Sequence, residues 1–346
     1  MLNINKILIS RTDKLGDLVL TLPLAAFLKK NFPGINISYL VRDYALPIAA
    51  SYNFIDNVYS FDQINKESKI DKKIELINSI AADTVIFAYP DYNVMRLLAK
   101  SKIPMRIATS HRYYSCRFAN KLVNFSRKNS NLHEAQLNFF LLHPLQIDYI
   151  PSITELEQFY GKDKFILHDL PVLVSNDFID QNNRPIILHP GSMGSAPNFS
   201  TENFYLLVKK LLELGENVYI TGSSEEGKHW LPIFKDLNVK TFFGSLDLHQ
   251  LMSVLANAKA VIASSTGPLH IAASLGTNAI GLYVPMGTFA PHRWAPIGQN
   301  AKVILPPFNK VICHKHCLNP ENCYCINQIA VDEIIDIVKN FFVIGV

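Results

Sequence analysis

Short apolar runs alternate with longer amphipathic stretches along the whole chain. In the first half the pattern predicts strands at Ile7–Ser10, Ile35–Val41 and Thr84–Tyr89. It predicts a helix at Asp17–Lys30, with Leu18, Leu20, Leu22, Leu24 and Phe27 apolar. This strand–helix–strand rhythm implies a parallel sheet covered by helices on both faces. The pattern loosens over Ser152–Asp180, and the stretch from Asn176 to Pro185 is rich in Asn and Asp. A domain junction is placed there, giving domains 1–175 and 176–330 and a last helix at the C-terminus. A fresh series starts at Pro185–Leu188. It continues with helix Thr201–Leu214, strand Asn217–Thr221, helix Glu225–Lys235, strand Val239–Phe243, helix Leu248–Ala256, strand Ala258–Ala263, helix Pro268–Leu275 and strand Asn278–Tyr283. The helix Val331–Phe342 closes the chain. The fold class is therefore α/β, with two doubly wound domains in tandem, whose ligands sit beyond the carboxyl ends of the strands.

Composition narrows the function. The chain has 346 residues, 49% hydrophobic and 18% charged, enough for two sizeable cores and against disorder. A formal net charge of +4 is mildly basic, too weak for a dedicated nucleic-acid binder. It suits anionic substrates or the negatively charged inner leaflet of a membrane. No apolar run approaches the roughly 18–20 residues of a membrane span. The segment Met1–Lys6, followed at once by a strand, does not read as a signal peptide. A cytoplasmic protein with five reduced cysteines is expected.

Four candidate motifs follow predicted strands. The first is Ser10-Arg11-Thr12-Asp13-Lys14-Leu15-Gly16-Asp17, running to Pro23. Gly16 permits a close approach, and Asp17 sits near a helix start, where the dipole favours a carboxylate. The second is His189-Pro190-Gly191-Ser192-Met193-Gly194-Ser195, a loop able to wrap a phosphate in backbone amides. It matches neither the P-loop nor the G-x-G-x-x-G pattern. The third is Thr221-Gly222-Ser223-Ser224-Glu225-Glu226, with a carboxylate able to accept from a ribose hydroxyl. The fourth is Ser264-Ser265-Thr266-Gly267-Pro268-Leu269-His270 and the Ala-rich stretch to Gly276, followed by Tyr283–Thr288 and Arg293-Trp294-Ala295-Pro296. Thr266 is placed to cap a helix whose first turn contains Pro268, and the free amides of that start suit a phosphate.

Taken together and in this order, these stretches resemble the ADP-heptose:lipopolysaccharide heptosyltransferases, glycosyltransferase family 9. The resemblance implies a GT-B fold: two Rossmann-like domains facing across a cleft, the first binding the acceptor and the second the nucleotide-sugar donor. The last helix would pack back on the N-terminal domain. The implied reaction is inverting transfer of a heptose from an ADP-sugar to a sugar of the lipopolysaccharide inner core, at the inner face of the inner membrane. No nucleic-acid partner is expected. By match to the motif Asp17 is the base, with Asp13 as understudy in the same loop. Gly191, Ser192, Ser265, Thr266, Gly267 and His270 would hold the diphosphate. Glu225, or Glu226 if the alignment shifts by one, would meet the ribose, and Met286 would line the adenine pocket. Arg11, Lys14, Arg112 and Arg117 are the acceptor candidates, since arginine pairs bidentately with phosphate and carboxylate.

The sequence departs from the family pattern at two places. Ser265 stands where several members carry Asp. Pro197-Asn198-Phe199-Ser200 stands where a Lys or Arg is expected, leaving Lys14, Arg11 or Arg293 to substitute. A transferase using another nucleotide sugar and a non-catalytic binding relative therefore stay open. No D-x-D occurs, so no cofactor is expected and activity should survive chelation. Cys313, Cys317, Cys323 and Cys325, with His314 and His316 between, lack the spacing of a common structural zinc site and are read as buried thiols or an adventitious disulfide rather than a zinc site.

Overall fold

Two six-stranded sheets, each wholly parallel, organise the chain. The computed structural model describes residues 4–127, 130–172, 174–178, 183–192, 194, 196–285, 289–310 and 323–343. Contacts divide it into two compact units: Met1–Phe159 with Asp163–Ile166, and Tyr160–Lys162 with Leu167–Val346.

The first unit runs β1 (Lys6–Ser10), α1 (Leu15–Val19), α2 (Leu22–Asn31), β2 (Asn36–Val41), α3 (Leu46–Ser51), β3 (Asn57–Ser60), α4 (Phe61–Lys66), α5 (Ile70–Ser79), β4 (Thr84–Phe87), α6 (Tyr92–Leu98), β5 (Met105–Thr109), α7 (Ser115–Phe118), β6 (Lys121–Val123), α8 (Glu134–Phe139) and α9 (Ile153–Glu157). Its sheet order is β3-β2-β1-β4-β5-β6. Ile9 of β1 lies between Tyr39 of β2 and Ile86 of β4, and Ile7, Leu8 and Ile9 are all buried. That double-sided burial is why the strand is a continuous apolar run rather than an alternating one.

The second unit runs β7 (Ile186–His189), α10 (Thr201–Glu213), β8 (Val218–Gly222), α11 (Ser224–Phe234), β9 (Lys240–Phe243), α12 (Leu248–Asn257), β10 (Ala260–Ser264), α13 (Gly267–Ser274), β11 (Ala279–Leu282), α14 (Pro291–Trp294), β12 (Ala301–Ile304) and α15 (Val331–Val343). Its order is β12-β11-β10-β7-β8-β9. Read from β7, this is the same arrangement as in the first unit, with the order reversing beside the first strand.

Two sequence expectations change, the first helix and the position of the junction. The single helix expected over Asp17–Lys30 is two, broken at Leu20–Thr21. Pro23, in the first turn of α2, has no N–H, and its ring excludes a continuous ladder from α1. The last helix packs on α10. Ile334, Ile335 and Val338 share one buried cluster with Phe204, Leu207 and Leu211, and Lys210 pairs with Asp332. Burying each such aliphatic side chain stabilises by about 2 kcal/mol, so this helix belongs to the core of the second unit. The junction lies earlier than residue 175, and the connector is shared. Gly161 N donates to Ser274 O (2.8 Å) in the second unit. In the first, Asn53 N donates to Lys164 O (2.9 Å), and Phe165 packs on the Tyr52 ring with centroids 5.0 Å apart.

Candidate active site

In a parallel sheet of this order, the crevice lies where the order reverses, beyond the strand ends. In the first unit that is the loop after β1, flanked by β2 and β4; in the second it is the loops after β7 and β10. The first and second motifs and the Ser264–His270 part of the fourth fall there, while the third follows β8, the neighbour of β7.

In the first loop Arg11 points inward. Its side chain is 2% exposed, whereas those of Asp13 and Asp17 keep 16% and 17%. Its Nε donates to Asp13 Oδ1 at 2.8 Å and its Nη2 to Asp17 Oδ1 at 2.5 Å. Nη1 donates to Ala88 O (3.2 Å) and lies 3.6 Å from Glu134 Oε1. A second guanidinium closes the cluster: Arg127 Nε donates to Glu134 Oε1 (2.8 Å) and its Nη2 to Ala88 O and Asn138 Oδ1. Burial works against the charge of Arg11, yet Asp13, Asp17 and Glu134 outweigh it and hold its pKa above the usual guanidinium range. For Asp13, burial dominates; with the Asp17 charge beside it, it overcomes the pull of Arg11 and pushes the carboxyl up to about 6. The site thus holds two partly accessible carboxylates over one buried cation.

The acceptor candidates separate. Arg11, expected to reach an acceptor, is instead committed below the two aspartates. Lys14 is exposed at the N-cap of α1, and Arg112 and Arg117 are exposed around α7. The sequence missed a cavity of about 430 Å³ in this unit, lined by Arg42, Lys73, Arg96 and Lys100 over Phe61 and Leu97. Its carboxylates are already engaged: Asp62 accepts from Arg42 Nε (3.0 Å) and Asp43 N, and Asp91 caps α6. Tyr44, two residues past Arg42, donates its hydroxyl to Asp13 O, so the cavity wall abuts the aspartate loop.

In the second unit, α13 opens at Thr266, whose backbone is extended. The expected cap is not made. The Thr266 hydroxyl bonds nothing in the helix, and it and Ser264 Oγ are buried without a hydrogen-bond partner. Ser265 is half-buried, the Tyr283 hydroxyl donates to Trp294 O (2.5 Å), Gly267 is the first helical residue, and His270 is buried. In the H-P-G-S loop Ser192 donates its hydroxyl to Ala196 O (2.9 Å). That bond uses the side chain's one hydrogen. Gly191 has a structural reason: a Cβ there would collide with the Glu226 carboxylate. Glu226 is held in the capping box of α11, its Oε2 accepting from Ser223 N (2.8 Å) and Oγ (2.9 Å), while its Oε1 is buried with no hydrogen bond. Glu225 is exposed and paired with Lys228 at 2.6 Å. Beside them His189 is buried, which lowers its pKa despite nearby Glu226 and keeps the ring neutral at pH 7.

Phe199, where the family pattern expects a cation nearby, is a core residue packed edge-on against Phe204. Met286, Cys313, Cys317, His314 and His316 lie outside the described residues. Cys323 and Cys325 are buried in the second core. Among the described residues no cluster of three or more His, Cys, Asp or Glu forms a metal site, and no helix is long and apolar enough to cross a membrane.

Two doubly wound α/β units are a fold shared with solved glycosyltransferases. The E. coli ADP-heptose lipopolysaccharide heptosyltransferase II aligns over 98% of this chain and 99% of its own, with a TM-score of 0.75 and 17% identity. A glycosyl transferase family 9 structure from Veillonella parvula aligns over 98% and 97%, with a TM-score of 0.76 and 18% identity. By sequence, a Haemophilus influenzae protein that is itself only a candidate glycosyltransferase is 30% identical over 88% of this chain and 90% of its own. Lipopolysaccharide heptosyltransferase 2 of Salmonella typhimurium is 28% identical over 38% of this chain and 39% of its own. The model of glycosyltransferase family 9 (heptosyltransferase) matches residues 96–324, and the chain belongs to that family. The matched span begins beyond Asp17.

Proposed function

We propose that this protein is an inverting glycosyltransferase that moves a heptose or related sugar from an ADP-sugar to an anionic sugar of the lipopolysaccharide inner core. The observation that carries the reading is the first switch-point loop: a partly accessible Asp17 carboxylate fixed on a buried arginine. The acceptor hydroxyl oxygen forms the new bond to the anomeric carbon. Its proton passes to Asp17, and the bond from that carbon to the diphosphate breaks, the electron pair leaving with the phosphate oxygen. The start of α13, with its first free amides and the Thr266 and Ser264 hydroxyls, is suited to that developing charge. Gly191 and the Ser192 backbone add to the donor side, and Glu226 Oε1 is the better-placed ribose acceptor than exposed Glu225.

On the acceptor side, the Arg42, Lys73, Arg96 and Lys100 cavity replaces Arg11 as the anion site, with Lys14, Arg112 and Arg117 outside it. The surface stretch around Arg112 and Arg117 suits peripheral contact with an anionic membrane face, and the reading remains a cytoplasmic one. The reaction needs no metal in this scheme, so activity should survive EDTA. One observation favours a second base: Asp13, pushed up to about 6, is better tuned for proton transfer near neutral pH.

The test is transfer and donor hydrolysis across ADP-, UDP- and GDP-sugars with heptose-deficient lipopolysaccharide as acceptor. Asp17→Asn should lower turnover by roughly 10²–10⁴-fold, the range for a lost general base. Near-normal turnover in that variant with loss in Asp13→Asn transfers the role to Asp13. Binding without turnover of any donor returns the non-catalytic reading.

A further inference from the structure

α8 carries two polar residues into an apolar environment. Glu134 and Asn138 are one turn apart on the same face, 1% and 0% exposed. Their neighbours Ala135, Leu137 and Phe139 are also buried, so neither polar residue is there for want of apolar alternatives. Burying an acid and an amide is costly unless each is paired. Both are paired, and their partners lead to Asp17.

From the carboxylate side, Glu134 Oε1 accepts from Arg127 Nε (2.8 Å) and faces Arg11 Nη1 (3.6 Å), whose Nη2 holds Asp17 Oδ1 at 2.5 Å. From the main-chain side, Asn138 Nδ2 donates to Leu20 O (3.3 Å) and Thr21 Oγ1 (3.4 Å). Thr21 in turn donates its hydroxyl hydrogen to Asp17 O at 2.8 Å. The Asn138 carbonyl oxygen accepts from both guanidiniums, Arg11 Nη1 (3.4 Å) and Arg127 Nη2 (3.1 Å). The break between α1 and α2 is the place where Leu20 and Thr21 become available for this. Asp17 is therefore gripped at its carboxylate and at its carbonyl by one helix some 117 residues away in sequence.

We propose that α8 is the positioning element for the reacting carboxylate: Glu134 with Arg127 fixes Arg11, and Asn138 with Thr21 fixes the Asp17 backbone. This rests on the reading of Asp17 as base. None of the four touches substrate in this scheme. They act by holding the direction of one carboxylate and its charge. Removing the Glu134 charge leaves two guanidiniums facing only Asp13 and Asp17, which favours the ionised forms of both.

Three variants in the full-length protein test it: Thr21→Val, its conservative counterpart Thr21→Ser, and Glu134→Gln. With the donor and acceptor that support transfer in the wild type, Thr21→Val should lower kcat by about tenfold with donor KM held within about twofold, since one hydrogen bond positions the base without binding the donor. Thr21→Ser should restore kcat to within about threefold of wild type, because it keeps the hydroxyl. Glu134→Gln should move the acid limb of the kcat/KM profile to lower pH. A carbon-13 NMR titration of Asp-labelled protein should show the same shift without any substrate, its signals assigned with Asp13→Asn and Asp17→Asn. If Thr21→Val does not fold, Glu134→Gln and the titration still decide. Unchanged kcat in both variants with an unmoved titration overturns the proposal. Loss of activity in Asp17→Asn alongside that result leaves the base reading standing, while a fully active Asp17→Asn removes the base reading itself.

Discussion

The two switch-point regions prepare for charge in opposite ways. The first unit buries it: Arg11 and Arg127 lie among Asp13, Asp17 and Glu134, each ion compensated by another. The second unit offers a helix start and two buried neutral hydroxyls, Ser264 and Thr266. A cluster of ions is rigid because breaking any pair strands a charge in a poor solvent. A hydroxyl at a helix mouth costs far less to leave unused and asks only for a partner that accepts hydrogen. The contrast fits the two tasks of the proposed transfer, in which one side keeps a proton acceptor aimed and charged and the other meets a charge that arrives with the substrate.

The largest effect should come from breaking the ion cluster. Arg11→Met leaves three carboxylates around an apolar side chain and should cost about 3–5 kcal/mol of stability, measured by urea unfolding. A loss under about 1 kcal/mol would mean the cluster is solvated and the contrast false, since surface pairs contribute no more than that.

Thr266→Val should act with the opposite sign on the fold. Replacing a buried unbonded hydroxyl by a methyl leaves stability unchanged or raised, while donor affinity falls by roughly five- to tenfold, about 1–1.5 kcal/mol for a lost hydrogen bond to phosphate. Calorimetric titration with ADP against thermal unfolding separates the two. A destabilised variant with normal ADP affinity would make Thr266 a packing residue.

The smallest effect is a pH dependence. Asp13 binds its proton more tightly folded, at about 6, than unfolded. Its burial thus costs stability above pH 6, and the cost is relieved as pH falls from there toward 4. Asp13→Asn removes this dependence. On going from pH 7 to pH 5, wild type should gain on the variant by about 1 kcal/mol, read from urea unfolding of both proteins at each pH. A constant difference between the two across that range would leave Asp13 unperturbed.

Much of this was legible in the chain. Strands buried on both faces, such as Ile7–Ser10 and Ala260–Ala263, are unbroken apolar runs, and the loops after them carry the polar residues. The order of strands within each sheet and the break at Leu20–Thr21 were not, although Pro23 is a signal for the latter. The electrostatics were least visible. Arg11 reads as a surface cation because burial is decided by what packs over it, and its partners Arg127, Glu134 and Asn138 lie far away in sequence. A signal did exist: in Glu134–Phe139 an acid and an amide, Glu134 and Asn138, stand one turn apart with Ala135, Leu137 and Phe139 around them, and mark a buried polar face that needs partners. The basic cavity was equally hidden, because Arg42, Lys73, Arg96 and Lys100 come from separate segments.

The shared connector has a practical side. Residues 160–162 are tied to Ser274 and 163–166 to Tyr52 and Asn53, so the chain passes from one unit to the other and back before it finally leaves. No single cut there frees both halves whole. Ending the first at Phe159 strips away the Phe165 ring packed on Tyr52, and ending it after Ile166 takes Gly161 from the second. Gene splitting or limited proteolysis at this seam therefore always leaves one half short of a piece of its own packing.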